Sequence, residues 1–365
     1  MPSINLDHSE ALAIFRSSSR VAVAKSYHPS SPFQKEIEEI VTGSHLTYRY
    51  ILVTALLAKA TDNSANPLSL QAGARLRGAY DARSLCHKII VPHEPELLAN
   101  ALGGSNEPYL NKPARFPQIS PHNAVRAGKD QRALRSLYNL LRHIIDSEQA
   151  RLALQDALYF AVRRKRADET AIEEAAAELV GGRRAILKFI EAFNSKSVHG
   201  ETAALSVGTL FWVMGLERSH RWSVQVHPSN EAGSSSNEIS DVDVREGGRL
   251  VFSAEVKDKP FTVRDVMHAI SKVKAAGLPC LHFIKGPRAE QSDGSEDAPT
   301  HTLGNDGVEL VVLELDQMAK TIIAFAPHAL TLHDFAERLN RFAEGARAKS
   351  DTFAHLKDVM HSLLC

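Results

Sequence analysis

Residues 241–257 read DVDVREGGRLVFSAEVK, and the order of side chains in this stretch decides the fold around it. From Arg249 to Lys257 the chain alternates: Leu250, Phe252, Ala254 and Val256 share one face of a strand, and Arg249, Val251, Ser253, Glu255 and Lys257 share the other. Glu246-Gly247-Gly248 is a tight-turn signal, so residues 241–245 are expected to run antiparallel to 249–257 as a hairpin. That hairpin carries Asp241 and Asp243 back towards Glu255, with Lys257 on the same face.

Two carboxylates and an ammonium in this arrangement suit a divalent metal and a phosphate. Hard Mg²⁺ takes one or two carboxylates and completes its octahedron with water and phosphate oxygens. Bound there, it would lower the pKa of a coordinated water and neutralise phosphate charge, while the lysine orients the water or stabilises the transition state. Glu255-Val256-Lys257 is the only Asp/Glu-x-Lys triplet in the chain. The competing reading is a solvated hairpin with a surface ion pair, which contributes little to stability.

The flanking sequence supplies a layered α/β frame. Gly200–Leu216 (GETAALSVGTLFWVMGL) reads as a mostly buried helix, Trp222, Val224 and Val226 alternate as a first strand, and residues 228–240 form a polar loop. Thr262-Val-Arg-Asp265 is a capping box opening a helix with Val263, Met267, Ile270 and Val273 on one face. Cys280–Ile284 (CLHFI) is expected as a buried strand, residues 286–307 as a polar loop, and 308–315 (VELVVLEL) and 321–325 (TIIAF) as two more strands. Thr331-Leu-His-Asp334 is a second capping box, opening a C-terminal helical segment with Phe335, Leu339 and Phe342.

This order resembles the core of the PD-(D/E)xK nuclease superfamily. The resemblance implies Asp241 and Glu255, with the Val256 backbone carbonyl, as Mg²⁺ ligands, and Asp241, Glu255 and Lys257 as the catalytic set. Ser240 replaces the proline that often precedes the first aspartate. Asp243 is the alternative ligand, and Glu201 stands where some relatives place an acid that supports the metal. An acid favourably placed at a helix N-terminus accounts for Glu201 equally well.

Composition frames the rest. The chain has 365 residues, 44% hydrophobic and 24% charged, with room for two domains. No apolar run approaches the roughly 18 residues of a membrane span, and the N-terminus lacks the apolar stretch of a secretory signal; no membrane partner and a cytoplasmic location are expected. Cys86, Cys280 and Cys365 lie far apart with no Cys-x-x-Cys spacing, and Cys86 with His87 and His93 matches no zinc pattern.

Lys plus Arg balances Asp plus Glu at 43 each, but the distribution is uneven. Lys112, Arg115, Arg126, Lys129, Arg132, Arg135 and Arg142 meet a single acid, Asp130, between residues 112 and 142, a segment able to neutralise phosphates. The run Arg163-Arg164-Lys165-Arg166, soon followed by acids, reads as a helical surface with internal ion pairs. Residues 33–60 carry apolar side chains at helical spacing and read as core. Gly78–Lys88 (GAYDARSLCHK) and Gly103–Pro117 (GGSNEPYLNKPARFP) combine turn formers with Arg, Asn and Lys. Rigid turns of that kind suit base-edge readout, or else they are connecting loops that satisfy their own backbone. Arg83, Asn106, Lys112 and Arg115 are the candidate DNA contacts there, with Lys259 and Arg264 just past the catalytic strand.

The stretches YRYILVTALLAKA, GAYDARSLCHK, GGSNEPYLNKPARFP and EISDVDVREGG…FSAEVKDKPFTVRDV are similar to those of the SacI family of type II restriction endonucleases, over nearly the whole chain. The resemblance implies Mg²⁺-dependent cleavage of double-stranded DNA at a short palindrome, GAGCTC or a related one, leaving 5′-phosphate ends. It also implies a cognate DNA methyltransferase as functional partner, and two-fold substrate symmetry makes a homodimer the simplest assembly. The expected fold class is α/β (α+β): a mixed central sheet flanked by helices at residues 186–330, a mainly helical N-terminal recognition region at 1–185, and a helical segment at 331–365. A structure-specific repair or recombination nuclease, and an inactive DNA-binding module on the same fold, are the rival readings.

Overall fold

The computed structural model describes residues 3–105, 107–216, 222–227, 239–292, 301–303 and 307–364, and the chain divides into two compact units at Glu169/Thr170. Within the first unit run α1 (His8–Val23), α2 (Gln34–Thr42), α3 (Leu46–Thr61), α4 (Ala82–Leu85), α5 (Val91–Leu98) and α6 (Lys129–Leu141), followed by α7 (Ser147–Ala177), which crosses the division. Helix α3 is buried from Thr47 to Ala60, so this core forms around it rather than beside it. A wide π turn, Cys86–Ile90, joins α4 to α5, and Pro108–Leu110 and Lys112–Arg115 are single 3₁₀ turns. On α7, Arg164 meets Asp168 and Lys165 meets Glu169 at i,i+4, the internal pairing expected of that basic run.

The second unit holds α8 (Arg183–Asn194), α9 (Glu201–Leu216), β1 (Trp222–Val226), β2 (Val242–Glu246), β3 (Arg249–Lys257), α10 (Val263–Ala275), β4 (Cys280–Lys285), β5 (His301–Leu303), β6 (Glu309–Glu314), α11 (Leu315–Phe325), α12 (Leu332–Gly345) and α13 (Ser350–Leu364). Among the described residues these strands make one mixed sheet in the order β1-β2-β3-β4-β6-β5. β1, β2 and β3 are antiparallel, β3, β4 and β6 parallel, and β5 antiparallel to β6. One face packs Val226, Val242, Val244, Ala254 and Ile284 against the cluster built by α8, α9, α11, α12 and α13; the other packs Leu281, Phe283 and Leu310 against α10. Helix α9 sits so close to β1 that a Cβ on Gly208 would lie 2.3 Å from Val226 Cγ2.

The β2–β3 hairpin turns through Gly247 and Gly248, both left-handed at φ +56° and +85°, as a two-residue turn of the primed kind requires. Both capping boxes form, Thr262 with Asp265 and Thr331 with Asp334. Residues 321–325 are not a strand. They complete α11, because Leu315, Met318, Ala319 and Ile323 bury one helical stripe; five apolar residues do not reveal a period by themselves. The expected loop at 286–307 contains β5, and Phe261 pairs with Gln291; residues 228–238, 293–300 and 304–306 lie outside the described residues. Among the described residues no helix is long and apolar enough to cross a membrane.

Candidate active site

Asp241 lies one residue before β2, across the hairpin from Glu255, and its Oδ2 accepts a 2.8 Å hydrogen bond from the Val256 backbone N–H. Two residues along β3 from Glu255, on the same face, Lys257 places Nζ 2.5 Å from Glu255 Oε1. The pair is well enclosed, with side chains 12% (Glu255) and 19% (Lys257) exposed. Burial and the neighbouring Glu255 carboxylate push Asp241 up to about 6, against the Val256 hydrogen bond and the charges of Lys257 and Lys272. Burial disfavours a charged Lys257, but Glu255 and Asp241 outweigh it and hold the amine above its usual range. Asp265, at the start of α10, adds to that field while its own carboxyl is held low by its cap bonds to Thr262.

Two half-enclosed carboxylates that repel each other are a place where a cation is stabilised. Val256 extends the donor set: its N–H points towards Asp241, and the N–H and C=O of one strand residue face the same strand edge, so its carbonyl lies on the Asp241 side. The next carbonyl, of Lys257, faces the opposite edge and accepts from Gly286 N at 2.7 Å. Three hard oxygen donors suit Mg²⁺, which takes the rest of its shell from water and substrate. Among the described residues no three His, Cys, Asp or Glu side chains gather as a metal cage.

Two residues considered as further ligands have other work. Asp243 is fully buried, and its oxygens are taken by Ser253 Oγ (2.7 Å), His227 Nε2 (3.0 Å) and Ile239 N (3.3 Å). Although burial opposes ionisation, these bonds hold its carboxyl below the usual range: Asp243 fastens β1, β2 and β3 together. Glu201 accepts from Thr352 Oγ1 (2.5 Å) and Lys349 N (3.0 Å), so its carboxylate caps α13.

Residues that the sequence did not single out complete the site. Asp258, immediately after Lys257, is buried and salt-bridged to Arg288, whose guanidinium also donates to the carbonyls of Asn194 and Ser195. The end of β3 is thereby tied to the end of α8. Gly286 is required beside it, since a Cβ there would meet Asp258 Oδ1 at 2.5 Å. In the sheet row that contains Lys257, β4 presents Lys285, hydrogen-bonded to Glu314 of β6 at 2.6 Å. Lys285 and Glu314 therefore flank Lys257 at the carboxyl ends of parallel strands, a position legible only once strand order is known.

Among the expected DNA contacts, Lys259 and Arg264 are exposed on the connection from β3 into α10, close in sequence to Lys257. Lys112 and Arg115 are exposed on one 3₁₀ turn of the first unit. Arg83 is exposed but lies 3.5 Å from Glu107, which also approaches His87; Asn106 lies outside the described residues. The segment leading to that turn is held by polar groups of α3 and α5. Arg49 donates to Leu102 O (2.7 Å), Tyr50 OH to Glu94 Oε2 (2.5 Å) and Ser105 N to Tyr50 OH (2.8 Å), while Glu94 Oε1 accepts from Gly103 N and Gly104 N, both at 3.1 Å. Arg49, Tyr50 and Glu94 are buried, so residues 102–105 rest on an internal scaffold. The signal in sequence was a Tyr-Arg-Tyr triplet inside an apolar helix, which periodicity alone assigns to core.

Both units match models of restriction endonuclease domains: residues 10–165 match the SacI restriction endonuclease N-terminal domain, and residues 179–287 the SacI restriction endonuclease C-terminal domain. The chain belongs to the SacI restriction endonuclease family. It is also 40% identical over 75 residues to the type II restriction enzyme SacI of Streptomyces achromogenes. That match spans 20% of this chain and 21% of the relative, about a fifth of each.

Proposed function

We propose that this protein is a type II restriction endonuclease on a PD-(D/E)xK core, cleaving both strands of DNA at a short palindrome, GAGCTC or a related sequence. The observation that carries the reading is the meeting of Asp241, Glu255 and Lys257 on one face at the β2–β3 edge, with the Val256 carbonyl turned to the same side. Asp241, Glu255 and that carbonyl would hold Mg²⁺, which when bound supplies Lewis-acid activation of water and neutralises phosphate charge. Lys257, kept protonated by Glu255 and Asp241, donates to the attacking water and holds it in line with phosphorus; the bond to the 3′ oxygen breaks, leaving a 5′ phosphate on the product. Glu255 holds the Lys257 ammonium in place until substrate arrives, and the Asp258–Arg288 bond fixes the strand end that carries it.

A palindrome presents two equivalent phosphodiesters, so a two-fold homodimer with one site per strand follows, and a methyltransferase of the same specificity would protect host DNA. The test is digestion of a plasmid of known sequence with Mg²⁺ and sequencing of the fragment ends. Discrete ends at one palindrome support the reading; nicking at junctions or flaps replaces it with structure-specific cleavage. Glu255→Ala should retain DNA binding and lose cleavage, and undiminished cleavage by that variant refutes the site.

A further inference from the structure

The N-terminal unit contains a cavity of about 890 Å³, unrelated to the acidic hairpin, between the end of α3, the 64–68 turn, the Arg77-Gly78 turn and the segment after α6. Three cations line it, Lys59, Arg77 and Arg142, and no carboxylate does; Leu68, Leu141 and Ile144 supply an apolar part of the wall. Arg77 and Arg142 are exposed and have no ion pair among the described residues. The Lys59 residue is 8% exposed overall; its part-buried ammonium spends one donor on Asn63 O at 2.5 Å and has no further acceptor among the described residues. The nearest acids are turned elsewhere: Asp62 accepts from Ser64 N and Oγ, and Asp146 from Gln149 N. Burial lowers Lys59 below the ordinary lysine range despite those two acids, so an arriving anion would stabilise its charged form.

The walls are braced in a way that fixes where these charges stand. Gly78 is left-handed at φ +78°, and a Cβ on it would overlap Ser64 O at 1.9 Å, so the 64–66 turn packs directly on the backbone beside Arg77. Asn66 N donates to Gly78 O at 2.9 Å, and its side-chain amide to Arg77 O at 3.3 Å. Asn63, which holds Lys59, also accepts from Ser147 N at 3.1 Å, linking that wall to the chain just beyond Arg142.

We infer that this cavity takes a phosphodiester of the DNA backbone, the phosphate against Lys59, Arg77 and Arg142 and the sugar against the apolar wall. The inference rests on the reading of the protein as a DNA-cutting enzyme and adds to it a sequence-independent anchor in the first unit. Arg142 was the last member of the basic run; Lys59 and Arg77 come from elsewhere in the chain and join it only in the fold. Phosphate contacts set register and affinity without reading bases.

The experiment is fluorescence anisotropy with Arg77→Ala/Arg142→Ala, both surface changes, on two duplexes, one containing GAGCTC and one scrambled, in EDTA across 50–200 mM salt. The variant should bind both duplexes more weakly by a similar factor, about tenfold or more at the lowest salt. Its plot of log affinity against log salt should be shallower by up to roughly 0.9, the contribution of the one phosphate that the cavity holds. If wild-type protein binds and the variant has the same affinity and slope, the cavity inference is overturned alone; a loss confined to the GAGCTC duplex also overturns it, since that marks base readout. If wild-type protein binds neither duplex, the parent reading fails and takes this inference with it.

Discussion

Lys257→Ala in metal-free protein isolates the electrostatics of the site. The Lys257 ammonium and Glu255 carboxylate are 2.5 Å apart and mostly enclosed, and Asp241 is already pushed up to about 6 beside them. At an effective dielectric constant of about 20 their gross attraction is roughly 6–7 kcal/mol, much of it offset by desolvation of the amine. Removing the amine leaves Glu255 facing Asp241 without compensation. Breaking a buried pair costs about 3–5 kcal/mol, and the residual exposure here places the effect near 3. At about 2–4 °C per kcal/mol for a unit of this size, the EDTA-treated variant should melt roughly 6–12 °C below wild type. Magnesium should then return stability, about 2.7 kcal/mol at a hundredfold excess over its dissociation constant, and more to the variant than to wild type, where the amine already supplies a cation. Calorimetry of both proteins with EDTA and with Mg²⁺ measures all four states. A variant melting within about 2 °C of wild type without metal, or equal Mg²⁺ shifts in the two proteins, would refute the account.

Asp241 and Asp243 should separate cleanly. Asp241→Asn should abolish cleavage while metal-free stability holds or rises, because a repelled carboxylate is removed; Asp243→Asn should cost about 1–3 kcal/mol through the Ser253 and His227 bonds, read by urea titration. Glu94 predicts a pH dependence: burial raises its pKa in the folded state above the unfolded value of about 4.3, so the native form keeps its proton to higher pH. Its contribution is therefore greatest below that unfolded value and is lost as pH rises through the folded one. The difference in unfolding free energy between wild type and Glu94→Gln, followed from pH 4 to 8, should fall with pH; a flat difference contradicts the assignment.

The features visible in the chain were those governed by nearest neighbours. Alternation from Arg249 to Lys257, the Gly247-Gly248 turn and the two capping boxes depend on local dihedrals and on hydrogen bonds within a few residues, so strand, turn and helix starts follow from order alone. So does the sharing of one face by Glu255 and Lys257. The choice between Asp241 and Asp243 did not, because both belong to that face and differ only in what the rest of the sheet brings: His227, Ser253 and Ile239 close around Asp243, while Asp241 stands at the ladder's end with Val256. Residues 321–325 carry strand-like composition, yet the buried stripe from Leu315 to Ile323 makes them helical. Glu94 and Tyr50, Asp258 and Arg288, and the Lys59–Arg77–Arg142 cavity join residues separated by tens of positions. Such groupings are selected by packing of the whole fold, which decides which distant residues an enclosed polar group meets.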